Sequence, residues 1–544
     1  MSVKILNNME YTSQGSQLTI DDFRSSLAHL PKSNRWVKMG DNLPWAKIEK
    51  LYNTKLNNSH TGAGNKSASM VVGALIVKHK MDSFMDELKK HKKIVLLYAS
   101  KEREKNNAMV LKEFLDKMNL SDEETIWTIQ ENPYMQYMLG LSEFTNKPVF
   151  DSSLFVTIRK RLQIDDLNSF TSSLLAVQMK KYSEKFKDYG INNDSDISAV
   201  SEQSIHKESL KIDATCSDAE VRYPTDVDLL NDASRVINRY IDKLCNKFSL
   251  THPITFSKQS CKAYLEVIKH KKKTKKMMHL CKLLIIYYLK RDTRGFIGLI
   301  AVHGTGLLDV FKNNEKRNIR AIITMYHQQE QMFKEGVHTC LDRIISIFQP
   351  HIRPIVRAKP KSPTEFGAKI GVSVVDGYTF IDHHSWDAYN ELTDLEIQIE
   401  LYRKRFGGLP DKIYADKIYM NRANRLLMKE LSIEAMGKPL GWPPKNVSDE
   451  YKSKMAKAVG LRNEVEATFG TGKRIYKANN IRTKLPQTAN CWTGMCYFVK
   501  NVMRFLRELL HALFFIAKLG ENTAILFNVS ENKAGLVNYR ILSR

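Results

Sequence analysis

The sequence predicts an α/β protein: a mixed sheet with a helical insertion between its first and second strands, preceded by an all-helical region. Three observations carry this. Residues before about 182 show helical spacing of apolar positions, short alternating runs begin at Ser209 and return between Glu365 and Met436, and a helical stretch from Thr225 to about Gln349 parts the first run from the rest. At 544 residues with 43% hydrophobic content, the chain can build several cores without disulfides.

In chain order, Ser121 followed by Glu124 is a capping box that opens a helix, and Asp21 to Leu30 and Met81 to Lys90 carry helical spacing. Trp36, Trp45, Trp127, Tyr134, Tyr137 and Phe144 are expected in the core rather than as base-stacking contacts. This assigns residues 1–182 to a helical N-terminal domain and the polar, Asn-, Asp- and Ser-rich residues 183–208 to a linker. Ser209 to Cys216 reads as a strand with Lys211, Asp213 and Thr215 on one face and Leu210, Ile212 and Ala214 on the other. Residues 225–349 form a helical, basic insertion.

After the insertion, Arg353, Arg357, Lys359 and Lys361 alternate with prolines in an extended basic loop. Glu365 to Val375 alternates, Asp376-Gly377 makes a tight turn and Tyr378 to Asp382 returns, which is a strong hairpin signal. Helical spacing from Tyr389 to Tyr402 stops at Gly407-Gly408 and Pro410. Lys412 to Ile418 reads as a strand carrying Asp416, Asn421 caps a helix, Ile433 to Met436 is a short strand, and a last helix runs from about Ser448 to Phe469. With the insertion removed, β-β-β-α-β-α-β-α is the order of an RNase H-like domain, made of residues 209–224 and 350–475 and followed by a helical C-terminal region and tail at 476–544.

Charge narrows the partners. Lys plus Arg number 84 against 59 Asp plus Glu, a net +25, which attracts polyanions and favours nucleic acid through counterion release. The densest run is Lys269, Lys271, Lys272, Lys273, Lys275, Lys276 and Lys282, with no acid among them; it reads equally as a solvated helix face or as phosphate contact. The seven cysteines are odd in number and scattered, without Cys-x-x-Cys pairs, so they read as reduced thiols rather than a zinc site. No signal peptide or long apolar run occurs, and Met495 to Leu519 is broken by Lys500, Arg504, Arg507 and Glu508. A soluble cytoplasmic protein with no membrane partner is expected.

Three acids stand where they could act together. Asp213 falls on the first strand, Asp416 on the fourth and Glu466 on the closing helix; these strands are neighbours in such a sheet, despite roughly two hundred residues between the two aspartates. Closely packed carboxylates raise one another's pKa unless cations neutralise them, and an all-oxygen set favours Mg²⁺. Two ions about 3.5–4 Å apart would activate a water or a 3′-hydroxyl and stabilise the departing oxygen. Arg462, Glu466 and Lys473 share a helix face, which would let the two cations hold phosphates. Glu464 is a rival for the third acid, but lies about 160° round the helix from Glu466.

Longer blocks carry a resemblance. In the N-terminal half these are "ENPYMQYMLGL" and "FDSSLFVTIRKRL"; further on they are "LKIDATCSDAEVRYPTD", "LDRIISIFQPHIRPIVRAKP", "EFGAKIGVSVVDGYTFIDHHSWDAYNE", "ADKIYMNRANR" and "RNEVEATFGTGKRIY". From about Leu18 to about Leu510 the chain resembles bacterial insertion-sequence transposases of the DDE type, with an InsH-like N-terminal domain and an RNase H-like catalytic domain. The resemblance places the acidic triad at Asp213, Asp416 and Glu466, and meets Arg462, Glu466 and Lys473 of a Tyr-x2-Arg-x3-Glu-x6-Lys signature, with Val459 at the tyrosine position.

It implies a nucleoid-associated bacterial enzyme that binds terminal inverted repeats, uses two Mg²⁺ ions with Mn²⁺ tolerated, and cuts and joins double-stranded DNA as a homodimer or larger synaptic complex. Lys271, Lys272, Lys273, Lys275, Lys276, Arg353 and Arg357 are the further expected DNA contacts. A catalytically silent DNA-binding relative and an RNase H-like nuclease without strand transfer are the alternatives.

Overall fold

A computed structural model describes residues 27, 30–32, 34–54, 66–90, 121–188, 209–356, 364–438 and 448–531. The alternating runs, joined by Arg353–Val356 from the stretch expected as an extended loop, form one six-stranded sheet from β1 (Ser209–Asp218), β2 (Arg353–Val356), β3 (Thr364–Val375), β4 (Tyr378–Ser385), β5 (Lys412–Tyr414) and β6 (Glu434–Met436). β1 is central. It pairs antiparallel with β3, setting Asp213 opposite Val372, and parallel with β5, setting Lys211 opposite Tyr414. β6 continues the sheet parallel to β5, while β2 and β4 both pair antiparallel with β3.

The predicted hairpin is present: Asp376 and Gly377 both take positive φ (48° and 74°), the conformation a two-residue turn between twisted strands demands. Gly367 is required for a different reason, because a Cβ there would lie 2.0 Å from the Ser217 carbonyl oxygen on β1.

Among the described residues, seven helices precede the sheet: α1 (Arg35–Asn42), α2 (Trp45–Asn53), α3 (Ala68–Lys90), α4 (Asp122–Gln130), α5 (Pro133–Met138), α6 (Ser153–Arg161) and α7 (Ile164–Asp188). The insertion holds α8 (Asp226–Phe248), α9 (Ser257–Ile268), α10 (Lys275–His303) and α11 (Asn313–Glu335). α12 (Asp394–Phe406), α13 (Arg422–Glu430), α14 (Asp449–Arg474) and α15 (Pro486–Glu531) follow.

One core joins Phe155 and Phe170 of the early helices, Ile212, Val372 and Phe380 of the sheet, and Trp492, Phe498 and Phe505 of α15. The insertion closes its own core around Leu230, Ile237, Ile285, Leu289 and Ile322. Backbone groups of β4 are satisfied by two asparagines: Asn168 Nδ2 donates to the Ile381 carbonyl (2.8 Å), and Asn501 bonds both the N–H (2.9 Å) and the carbonyl (2.7 Å) of Thr379.

Several expectations change. Trp127 is 60% exposed because α4 turns Thr125, Ile126 and Ile129 inward and leaves it off that stripe; Phe144, outside any helix, is 48% exposed, and Trp36 is buried as expected. α7 runs on to Asp188, into the stretch read as linker; residues 189–208, and most of the helix expected at Asp21 to Leu30, lie outside the described residues. β5 stops at Tyr414, so Asp416 lies beyond the strand. The lysine run is not a helix face: Lys271, Lys272 and Lys273 sit on the exposed connection from α9 to α10, and Lys275 and Lys276 begin α10.

None of the seven cysteines is in a disulfide. Among the described residues no helix is long and apolar enough to cross a membrane. Of the charges on α15, Lys500 donates to Thr379 Oγ1 (2.8 Å) and Arg504 pairs with Glu508 (2.7 Å).

Candidate active site

β1 turns its Lys211 and Asp213 face toward α14. Lys211 binds Glu464, and Asp213 Oδ2 accepts from Arg462 Nη1 at 3.4 Å. The rival acid Glu464 is therefore taken up by a lysine. Asp416 lies two residues past β5 and caps the short turn Lys417–Tyr419, its Oδ1 accepting from the Lys417 N–H (2.8 Å). Because β5 runs parallel to β1 with Tyr414 opposite Lys211, Asp416 comes off the end of β5 beside mid-strand Asp213.

α14 begins at Ser448, whose hydroxyl caps the Tyr451 N–H, and buries Val465, Thr468 and Phe469. That packing holds Arg462 and Glu466, one turn apart, over the strand ends. Arg462 Nη2 meets Glu466 Oε1 at 2.7 Å, and Nη1 lies 4.0 Å from Asp416 Oδ1. One guanidinium thus touches all three predicted acids. Asp213 is the deep member, its side chain 15% exposed against 51% for Asp416 and 54% for Glu466.

Burial pushes Asp213 up to about 6; the Ala214 N–H and Arg462 oppose the rise, and the charges of Glu391 and Asp416 add to it. A carboxylate held this way binds a divalent cation with loss of a proton. The donor set suits a hard cation, with hard oxygens arranged around one positive group. The three acids are nevertheless spread wider than a tight single-ion cage. Among the described residues, the three ligand-type side chains whose ligand atoms all lie within 4.8 Å of one another are Cys216, Asp218 and Glu365. That second cluster mixes a soft sulfur with two carboxylates, so it is not the all-oxygen set expected to favour Mg²⁺.

A family model described as a transposase DDE domain matches residues 413–502. Over this part the chain is similar to transposase DDE domains. The matched span opens at β5 and contains Asp416, Arg462, Glu466 and Lys473. The predicted resemblance to DDE transposases holds over it, and the InsH-like N-terminal half lies outside it. No curated protein and no solved structure matches the chain.

The match does not reach Asp213, which β1 brings beside Arg462 of the matched span. Lys473 is within α14, as its spacing requires, but its charge acts on Cys216. Arg353, expected in an open loop, is on β2 and one-fifth exposed, near Asp342 (3.7 Å) and Asp387 (3.8 Å); Arg357 lies outside the described residues. Lys271, Lys272, Lys273, Lys275 and Lys276 are all exposed, while Lys282 of the same run binds Asp226 at 2.8 Å. Glu391, whose charge acts on Asp213, was not singled out from sequence: an acid just before a helix looks like any dipole-favoured residue there.

Proposed function

We propose that the chain is a DDE transposase that binds the terminal inverted repeats of an insertion sequence, cuts its ends and joins them to target DNA. The observation that carries this is the meeting of Asp213, Asp416 and Glu466 on Arg462. Two of those acids lie in the matched domain and the third comes from a strand roughly two hundred residues earlier. The strand order β4-β3-β1-β5-β6, with β1 parallel to β5 and antiparallel to β3, supports an RNase H-like catalytic domain at 209–224 and 350–475. The helices of 1–182 are the repeat-binding region in this reading, and residues 225–349 are an inserted module.

Asp213, fixed mid-strand, is the anchor of the acidic centre, and Asp416 and Glu466 are half-exposed arms on either side of it. Arg462 neutralises the three when they stand close, and its planar fork is equally suited to a scissile phosphate. Mg²⁺ ions held by these acids would supply Lewis acidity, both to activate a water or 3′-hydroxyl and to stabilise the departing oxygen. Lys271, Lys272, Lys273, Lys275 and Lys276 offer exposed positive charge to the DNA backbone; two of them open a helix, where cations oppose the helix dipole and gain from a bound anion. Two ends must be held for joining, which calls for at least a dimer on DNA.

The test is cleavage of element-end DNA by the full chain in Mg²⁺ and in EDTA, followed by joining of pre-cut ends to a target plasmid. Cleavage and joining that both need the metal support the proposal. Binding without cleavage makes the protein a silent relative, and cleavage without joining makes it a nuclease.

A further inference from the structure

Glu391 begins the short turn Glu391–Thr393 between β4 and α12, and this turn packs on the turn Lys417–Tyr419 that follows Asp416. The Asn424 side-chain amide ties them, donating to the carbonyls of Leu392 (2.9 Å) and Tyr419 (3.0 Å). The Glu391 carboxylate does not point to open solvent. It is 16% exposed and 3.0 Å from Lys369 Nζ, which is 12% exposed, donates to the Tyr389 carbonyl (2.8 Å) and lies over the Tyr389 ring.

A largely buried ion pair costs desolvation that its attraction often fails to recover, so stability alone gives weak reason to keep one. Its surroundings suggest another reason. The Tyr419 hydroxyl is fully buried and has no hydrogen-bond partner, and it feels Glu391, Asp213, Asp394 and Tyr389 together. Glu391 also acts on Asp213 more strongly than Asp416 does. Gly371 keeps the adjoining backbone bare, since a Cβ there would lie 2.8 Å from Asp394 Oδ2 and 3.3 Å from the Tyr389 hydroxyl. Arg462 thus gathers acids from β1, from the turn after β5 and from α14, and Glu391 stands on a turn packed against the second of these, with Lys369 paired to it.

We propose that Glu391 is a fourth carboxylate of the acidic centre, placed to share a divalent cation with Asp213, and that Lys369 is its counter-ion when it is not so engaged. This rests on the reading of Asp213, Asp416 and Glu466 as the metal-holding acids.

The experiment is Mn²⁺ binding to the full-length protein, followed by the electron paramagnetic resonance signal of free Mn²⁺. Glu391→Gln weakens binding about tenfold or more, the usual effect of losing a metal-tuning carboxylate, while Glu396→Gln, at an exposed acid of α12, binds as the unaltered protein does. Lys369→Gln frees Glu391 and tightens binding, and it decides the matter if Glu391→Gln does not fold. Unchanged Mn²⁺ affinity in Glu391→Gln, or unchanged or weaker affinity in Lys369→Gln, overturns the inference. Asp213→Asn separates the two levels: if it loses Mn²⁺ while Glu391→Gln does not, only the fourth carboxylate falls; if it keeps Mn²⁺, the reading of the triad falls with it.

Discussion

The core around the sheet draws on residues from Trp36 to Leu506, whereas the core of the insertion is built wholly between Val227 and Ile347. The acids of the candidate active site belong to the first of these and the exposed lysines to the second. Placing Asp213 beside Asp416 and Glu466 needs the whole sheet with α14 across it. Displaying Lys271 to Lys276 needs only a connection between two helices of a self-contained bundle. Damage to the first region should therefore act through geometry, steeply, and damage to the second through accumulated charge, gradually.

The largest effect tests the steep side. Asp213→Asn, Asp416→Asn or Glu466→Gln each abolishes Mg²⁺-dependent cleavage and leaves repeat binding nearly intact; full cleavage by any one of them removes that residue from the site. On the gradual side, replacing Lys271, Lys272, Lys273, Lys275 and Lys276 by glutamate weakens DNA binding and flattens its salt dependence, by about 0.9 in log–log slope for each phosphate no longer neutralised. An unchanged slope returns these lysines to a merely solvated surface.

The separation of the cores is itself testable by calorimetry. Ile370→Ala in the sheet and Ile322→Ala in the insertion, both fully buried, each cost about 2–5 kcal/mol. Two unfolding transitions are expected, one lowered by each substitution. A single transition lowered by both breaks the comparison.

The smallest effect concerns Asp213 alone. Its folded pKa of about 6 exceeds the unfolded value of about 3.9, so its contribution to stability is fully present below the unfolded value and is lost as pH rises through 6. Asp213→Asn should accordingly stabilise the metal-free protein at pH 8 by at most about 3 kcal/mol, with the gain gone below about pH 4. A gain that persists at pH 4 would assign it to packing rather than charge.

Local signals read true where backbone conformation decided them. Asp376-Gly377 demanded a hairpin, Ser121 and Glu124 form the predicted capping box, and α14 carries Arg462 and Glu466 one turn apart. Signals failed where packing decided. Trp127 looks like a core residue by type, but its neighbours Ile126 and Ile129 took the inward face. Lys282 belongs to the lysine run by position, yet Asp226 binds it.

From sequence alone came the order of the strands other than β2, the basic balance and the candidacy of Asp213, Asp416 and Glu466, because periodicity, turn chemistry and charge are properties of neighbouring residues. Tertiary structure alone decided that these acids meet on Arg462, that Glu464 is diverted to Lys211, and that Glu391 stands near Asp213 with Lys369 at its side. Which of many acids share a site depends on strands and turns brought together by burial of a common core, and that cooperation leaves no mark in the spacing of any one segment.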